Sequence, residues 1–277
     1  MKHHSRGFTL VEIAISMVIL GLVLTGLVVS LSQQLEQRRL LDTRTTLAQA
    51  NEALTAYVVA NGRLPCPAVA ASNGLESTAG GPGICTTAAG FLPAVTLGLP
   101  NLDANGLLND GWADGSTQDN TGAMSYPRAI RYSVARLTLT PLANALTTAS
   151  LNVPGATRSA VGTLLSAAPG GNQGLFVCRS SVGLVGAGNR CGGAANSLAM
   201  NAVAVIWSQG PTGNDALGNS ANETQNSAQL GAPGIPGTFV MRDRSDTAAA
   251  AGRFDDLVVW TSWGMVADKL MTAWLVP

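Results

Sequence analysis

Apolar and polar positions are distributed unevenly along this chain, and the longest apolar block comes first. No charged residue occurs between Ile13 and Leu35. That run is long enough for a helix that crosses a bilayer, which needs about 20 apolar residues. Ahead of it stands a short polar head, residues 1–7, with Lys2 and Arg6. One carboxylate, Glu12, sits near the start of the apolar run, where a lone acid is costly and calls for a partner. Beyond the run, Leu40, Leu47 and Leu54 recur every seven residues. Ala50, Tyr57 and Val58 lie on or near the same stripe, while Glu36, Arg39, Asp42, Arg44 and Glu52 are polar. This spacing predicts an amphipathic continuation of the helix. It ends at Asn61-Gly62, where glycine suits a left-handed cap and Pro65 prevents continuation. Unbroken, such a helix would measure about 80 Å at 1.5 Å per residue.

After Gly62 the period changes. Ile130, Tyr132 and Val134 alternate with Arg131, Ser133 and Ala135, the pattern of a half-buried strand. Further strands are predicted over 174–178, 202–207, 238–241 and 257–261, separated by long Gly/Asn/Ser loops. Met265, Leu270, Met271 and Trp274 have the spacing of a short terminal helix, and the poorly periodic stretch 137–171 predicts one or two short helices. The expected fold is α+β: a long N-terminal helix packed on an antiparallel β-sheet head. Residues 1–7 form the polar leader, 8–35 the membrane half of the helix, 36–62 its amphipathic half and 63–277 the head.

Gly7-Phe8-Thr9-Leu10-Val11-Glu12, followed by the apolar run, resembles the cleavage and methylation signal of type IV pilins and type II secretion pseudopilins. The resemblance implies that a prepilin peptidase cuts between Gly7 and Phe8 and methylates Phe8. An ordinary secretory signal carries its apolar core before the cut; here the core stays with the mature chain. Glu12 becomes the fifth mature residue, and a carboxylate that pairs with a neighbour's new α-amine neutralises both and fixes register. The implied subunit is lollipop-shaped and spans the bacterial inner membrane once, with its N-terminus cytoplasmic and its head periplasmic. Its implied partners are the prepilin peptidase, the inner membrane and other pilin-like subunits.

Composition narrows the function. The two histidines, His3 and His4, fall in the leader, and Lys269 is the one lysine left after it. Ser-His-Asp and Cys-His sites, and zinc sites with a His ligand, are therefore excluded from the mature chain. Removing Lys2 and Arg6 leaves 14 basic against 16 acidic side chains, a balance that predicts no nucleic-acid contact. The expectation is a non-enzymatic subunit of a type II secretion pseudopilus. The alternatives are a minor pilin of a type IV pilus or DNA-uptake machine, or a membrane-anchored periplasmic binding or adhesin protein. Asn109-Asp110-Gly111-Trp112, Tyr126-Pro127 and the late Asp255–Trp260 segment are similar to pseudopilin motifs, with Ala113 where glycine is usual and an insertion over 114–125.

Cys66, Cys85, Cys178 and Cys191 show no C-x-x-C spacing. In an oxidising compartment an even count reads as disulfides. Three pairings are possible, and the sequence-local pairs Cys66–Cys85 and Cys178–Cys191 are favoured. The pseudopilin resemblance also makes Asp215, Asp255 and Asp256 candidate calcium ligands, since calcium takes six to eight oxygens. The intervening loop is longer than in that family. Asp255 and Asp256 are better suited to ending a loop and binding its backbone, and no cofactor is expected to be required. Asp103 heads a sequence reminiscent of a calcium loop, but Leu107 and Asp114 occupy positions that an EF-hand needs for ligands.

Overall fold

A computed structural model describes residues 10–81, 83–113, 126, 128–135, 145–148, 151, 174–186, 188–213, 220–230, 237–245 and 252–274. Side chains of 23–32 lie outside the described residues, although their backbone is helical. The elements are α1 (Leu10–Asn61), β1 (Ala89–Phe91), β2 (Arg131–Val134), α2 (Ala145–Thr148), β3 (Leu175–Cys178), β4 (Ser197–Ser208), α3 (Ala221–Ser227), β5 (Thr238–Val240), β6 (Leu257–Ser262) and α4 (Trp263–Trp274).

The helix α1 is continuous over 52 residues, and its two halves differ in surroundings. Leu10–Leu22 is exposed along its length, whereas Thr43, Leu47, Ala50, Leu54 and Val58 are buried against the sheet. Those five positions recur at three and four residues, which places them on one face. The helix stops where expected. Gly62 takes φ 63° and its N–H returns to the Val58 carbonyl at 2.8 Å.

Among the described residues no helix is long and apolar enough to cross a membrane; the membrane half expected over residues 8–35 falls partly outside those residues.

The six strands form one curled sheet in which β4 is the spine. Antiparallel β2 pairs with the C-terminal half of β4 and β3 with its N-terminal half. Ala202 pairs with both Leu175 and Ser262, so β6 takes the opposite edge of β4. The sheet is mixed rather than wholly antiparallel. One edge of β3 is occupied by β4, and the other receives β5 in parallel, Val177 opposite Phe239. A parallel neighbour requires a crossover; the chain supplies it through β4 and α3. The core joins the α1 stripe to Ile130, Tyr132, Trp207 and Phe239, with Val266 and Leu270 of α4 beside them. The Trp207 and Phe239 rings meet at a tilt of 59°, with their centres 5.0 Å apart.

Candidate functional site

The N-terminal determinants come first in the chain. Gly7 and Phe8 lie outside the described residues. Glu12 stands in the first turn of α1, where a carboxylate complements the positive end of the helix dipole. Its carbonyl accepts from Ser16 Oγ at 2.7 Å.

Where α1 meets the head, one junction gathers several elements. Thr43 Oγ1 donates to the Arg39 carbonyl and accepts the Gly111 N–H at 2.9 Å. A Cβ on Gly111 would sit 2.4 Å from the Arg39 carbonyl oxygen, so only glycine fits. Next to it, Asp110 accepts from Ser208 Oγ at 2.6 Å and from the Trp112 N–H at 3.0 Å. Burial pushes the Asp110 carboxyl up to about 6, although the Ser208 and Trp112 hydrogen bonds and the Arg128 charge oppose that rise. Arg128 in turn donates to the Gly210 carbonyl at 2.5 Å. The stem, the 109–112 loop and the end of β4 are thus tied together.

Beyond Gly210 lie the acids. Carboxylate oxygens of Glu223, Asp255 and Asp256 approach within 4.8 Å of one another, and all three residues are buried. Asp215 lies outside the described residues. Glu223 belongs to a capping box at the start of α3: Ser220 Oγ accepts the Glu223 N–H, and Glu223 Oε2 accepts the Ser220 N–H. Its other oxygen accepts the Asp255 N–H at 2.9 Å. Asp255 accepts Thr212 Oγ1 at 2.8 Å, with Arg253 at 3.3 Å, and Asp256 accepts Asn226 Nδ2 at 2.7 Å. Burial raises all three carboxyls, Asp256 most clearly.

Oxygen ligands are the type calcium takes, but a full shell needs six to eight. In each carboxylate at least one oxygen is engaged by protein donors, and Arg253 brings positive charge. The donor set suits a hydrogen-bonded loop anchor, with no step that requires a metal. Asp103 behaves similarly, accepting the Asn105 and Leu107 N–H groups within its own turn.

Asn226 completes this region. Its side-chain amide accepts the Val240 N–H at 2.7 Å and donates to the Val240 carbonyl at 2.9 Å, so it stands in for a neighbouring strand on β5. Gln225 and Gln229 both donate to the Thr238 carbonyl. An edge covered in this way cannot pair with another chain.

Cys66–Cys85 and Cys178–Cys191 are bonded, each clipping a short loop. Beside the first, Arg63 pairs twice with Glu76, at 2.9 and 2.6 Å. Burial alone would raise the Glu76 carboxyl, but the Arg63 bonds and the Cys66 N–H together hold it below its usual range.

Glu223 and Asn226 were not singled out by sequence reasoning, and Asp110 was named only as part of the Asn109–Trp112 motif. Ser220-x-x-Glu223 carried a readable signal as a capping box. Asn226 carried none, and the motif did not reveal the buried role of Asp110, because both roles depend on distant partners.

No curated protein and no solved structure matches the chain. The family model that matches is the prokaryotic N-terminal methylation motif, over residues 2–28, a stretch that includes Gly7, Phe8 and Glu12. The motif points to a structural subunit rather than an enzyme, one exported and anchored to a membrane, processed by prepilin peptidase and assembled with other pilin subunits. The chain therefore carries the prepilin-type signal of type IV pilins and pseudopilins.

Proposed function

We propose that the chain is a non-catalytic pilin-like subunit of a periplasmic pseudopilus in type II protein secretion. Prepilin peptidase cuts between Gly7 and Phe8 and methylates Phe8. The helix from Phe8 to about residue 35 anchors the subunit in the inner membrane, N-terminus inside, and holds the head in the periplasm. Glu12 docks on the α-amine of a neighbouring subunit. The methylation motif over residues 2–28 carries this reading. The loop-rich head, stapled by two disulfides, is consistent with an oxidising compartment.

Deletion in the native host tests the choice of system. Retention of normally secreted proteins in the periplasm, with surface pili intact, is the expected result. Loss of pili or of DNA uptake with secretion intact would replace it by the minor-pilin reading. If both survive and the head alone retains a ligand, the anchored binding or adhesin reading takes its place. In the same host, Glu12→Ala should leave cleavage intact and impair assembly. Normal incorporation of that variant would remove the docking role.

A further inference from the structure

The first charged residue after the apolar run is Glu36, and the head returns to it 208 residues later, where Arg244 pairs with its carboxylate. The segment that carries Arg244 is held from behind. Ser245 and Phe254 exchange backbone hydrogen bonds at 2.9 Å, and Arg242 lies over the Phe254 ring at 5.9 Å. On α1, Arg38 and Arg39 follow Glu36 at a rise of about 3 and 4.5 Å, turned about 200° and 300° from it around the axis. Both are exposed, as is Arg244, and Arg242 is half-buried. Cations are thus spread around the helix at one level: four guanidinium groups, against the Glu36 and Asp243 carboxylates among the described residues. That local excess belongs to a chain with fewer basic than acidic side chains once Lys2 and Arg6 are removed.

We propose that Arg38, Arg39, Arg242 and Arg244 bind anionic lipid headgroups and seat the base of the head on the membrane surface. The position of the membrane rests on the pilin-like reading, in which α1 up to about residue 35 lies in the bilayer. Glu36 then stands at the lipid boundary, and its pair with Arg244 holds the 242–245 segment at the same level. Long arginine stems reach back from there toward the headgroups. Membrane proteins usually keep Lys and Arg on the cytoplasmic flank of a span. Arginines on the opposite flank, gathered from both the helix and the head, run against that bias, and anionic headgroups supply the charge that offsets it. The occupant is a lipid surface because the cations ring the helix that enters it, rather than converge on one point.

The processed full-length chain is placed in bilayer discs of phosphatidylcholine or of phosphatidylglycerol, and amide exchange of the 242–245 peptide is read by mass spectrometry. The expected result at low salt is exchange about fivefold slower in phosphatidylglycerol, the worth of one arginine near an anionic surface. The difference should vanish at about 0.5 M salt, where the Debye length falls to about 4 Å. It should shrink in Arg38→Gln/Arg39→Gln, whose exposed substitutions leave the Arg244–Glu36 pair in place. Equal exchange in both lipids, with the chain inserted, would overturn the headgroup contact and leave the pilin-like reading standing. So would slowing that persists at high salt. The same slowing by millimolar inorganic phosphate in phosphatidylcholine would also overturn it, by assigning a free anion. A chain that enters neither disc would overturn both readings.

Discussion

Thr43 Oγ1, buried on α1, accepts the N–H of Gly111 at 2.9 Å, and this bond fixes the long helix to the loop that precedes β2. It works because Gly111 has no side chain: a Cβ there would sit 2.4 Å from the Arg39 carbonyl oxygen. Gly111→Ala is expected to destabilise the head by about 2–3 kcal/mol through steric displacement of the loop. Thr43→Val keeps the shape and removes the acceptor, at a cost of about 1–2 kcal/mol. Urea unfolding of the soluble head with the amphipathic half of α1 measures both. An unaltered midpoint for Gly111→Ala would deny the close approach.

The buried Asp110 makes stability depend on pH in a defined direction. Its carboxyl is raised to about 6 in the folded chain, against an unfolded value near 3.8. The contribution of the Asp110 carboxyl to stability is thus fully present below about 4 and is lost as pH rises through about 6. A shift of that size corresponds to about 3 kcal/mol. Asp110→Asn should flatten part of the decline in melting temperature between pH 4 and 7. The raised Glu223, Asp255 and Asp256 carboxyls leave a slope of the same sign in that variant. A decline equally steep with and without Asp110 would contradict its burial.

Asn226 holds both backbone groups of Val240 and one oxygen of Asp256. Asn226→Ala leaves buried polar groups without partners, so a loss of about 2–4 kcal/mol is expected. The Val240 amide should exchange with solvent much faster in the variant. Retained protection there would show that another group covers the β5 edge.

Calcium distinguishes the two uses of the acid cluster. As a loop anchor, Glu223, Asp255 and Asp256 should give the same melting temperature at pH 7.5 with millimolar calcium as with a chelator. A rise of several degrees with calcium, abolished by Asp256→Asn, would instead assign the cluster a cation.

Much of the strand order could be read from local pattern. The predicted strands over 238–241 and 257–261 coincide closely with β5 and β6, because β-branched and aromatic residues there are bounded by glycine-rich loops. The heptad leucines placed α1 on the sheet, since helical spacing is a local property. Arg131 shows where alternation fails. It occupies a nominally polar position yet is only 5% exposed, its guanidinium lying 4.1 Å from the Phe91 ring centre. Both faces of β2 are covered, and alternation reports only one-sided burial. The parallel pairing of β5 was illegible for a similar reason, as it depends on which edge of β3 is left open. At the acid cluster, the pseudopilin resemblance pointed to Asp255 and Asp256, but Glu223 joins them only through the path of α3.

The central claim concerns the N-terminus, and the mass of the N-terminal peptide of the mature protein, purified from its native host, tests it most directly. The account predicts a chain that begins at Phe8 and carries one added methyl group. A chain that still begins at Met1 in cells with an active prepilin peptidase would contradict it.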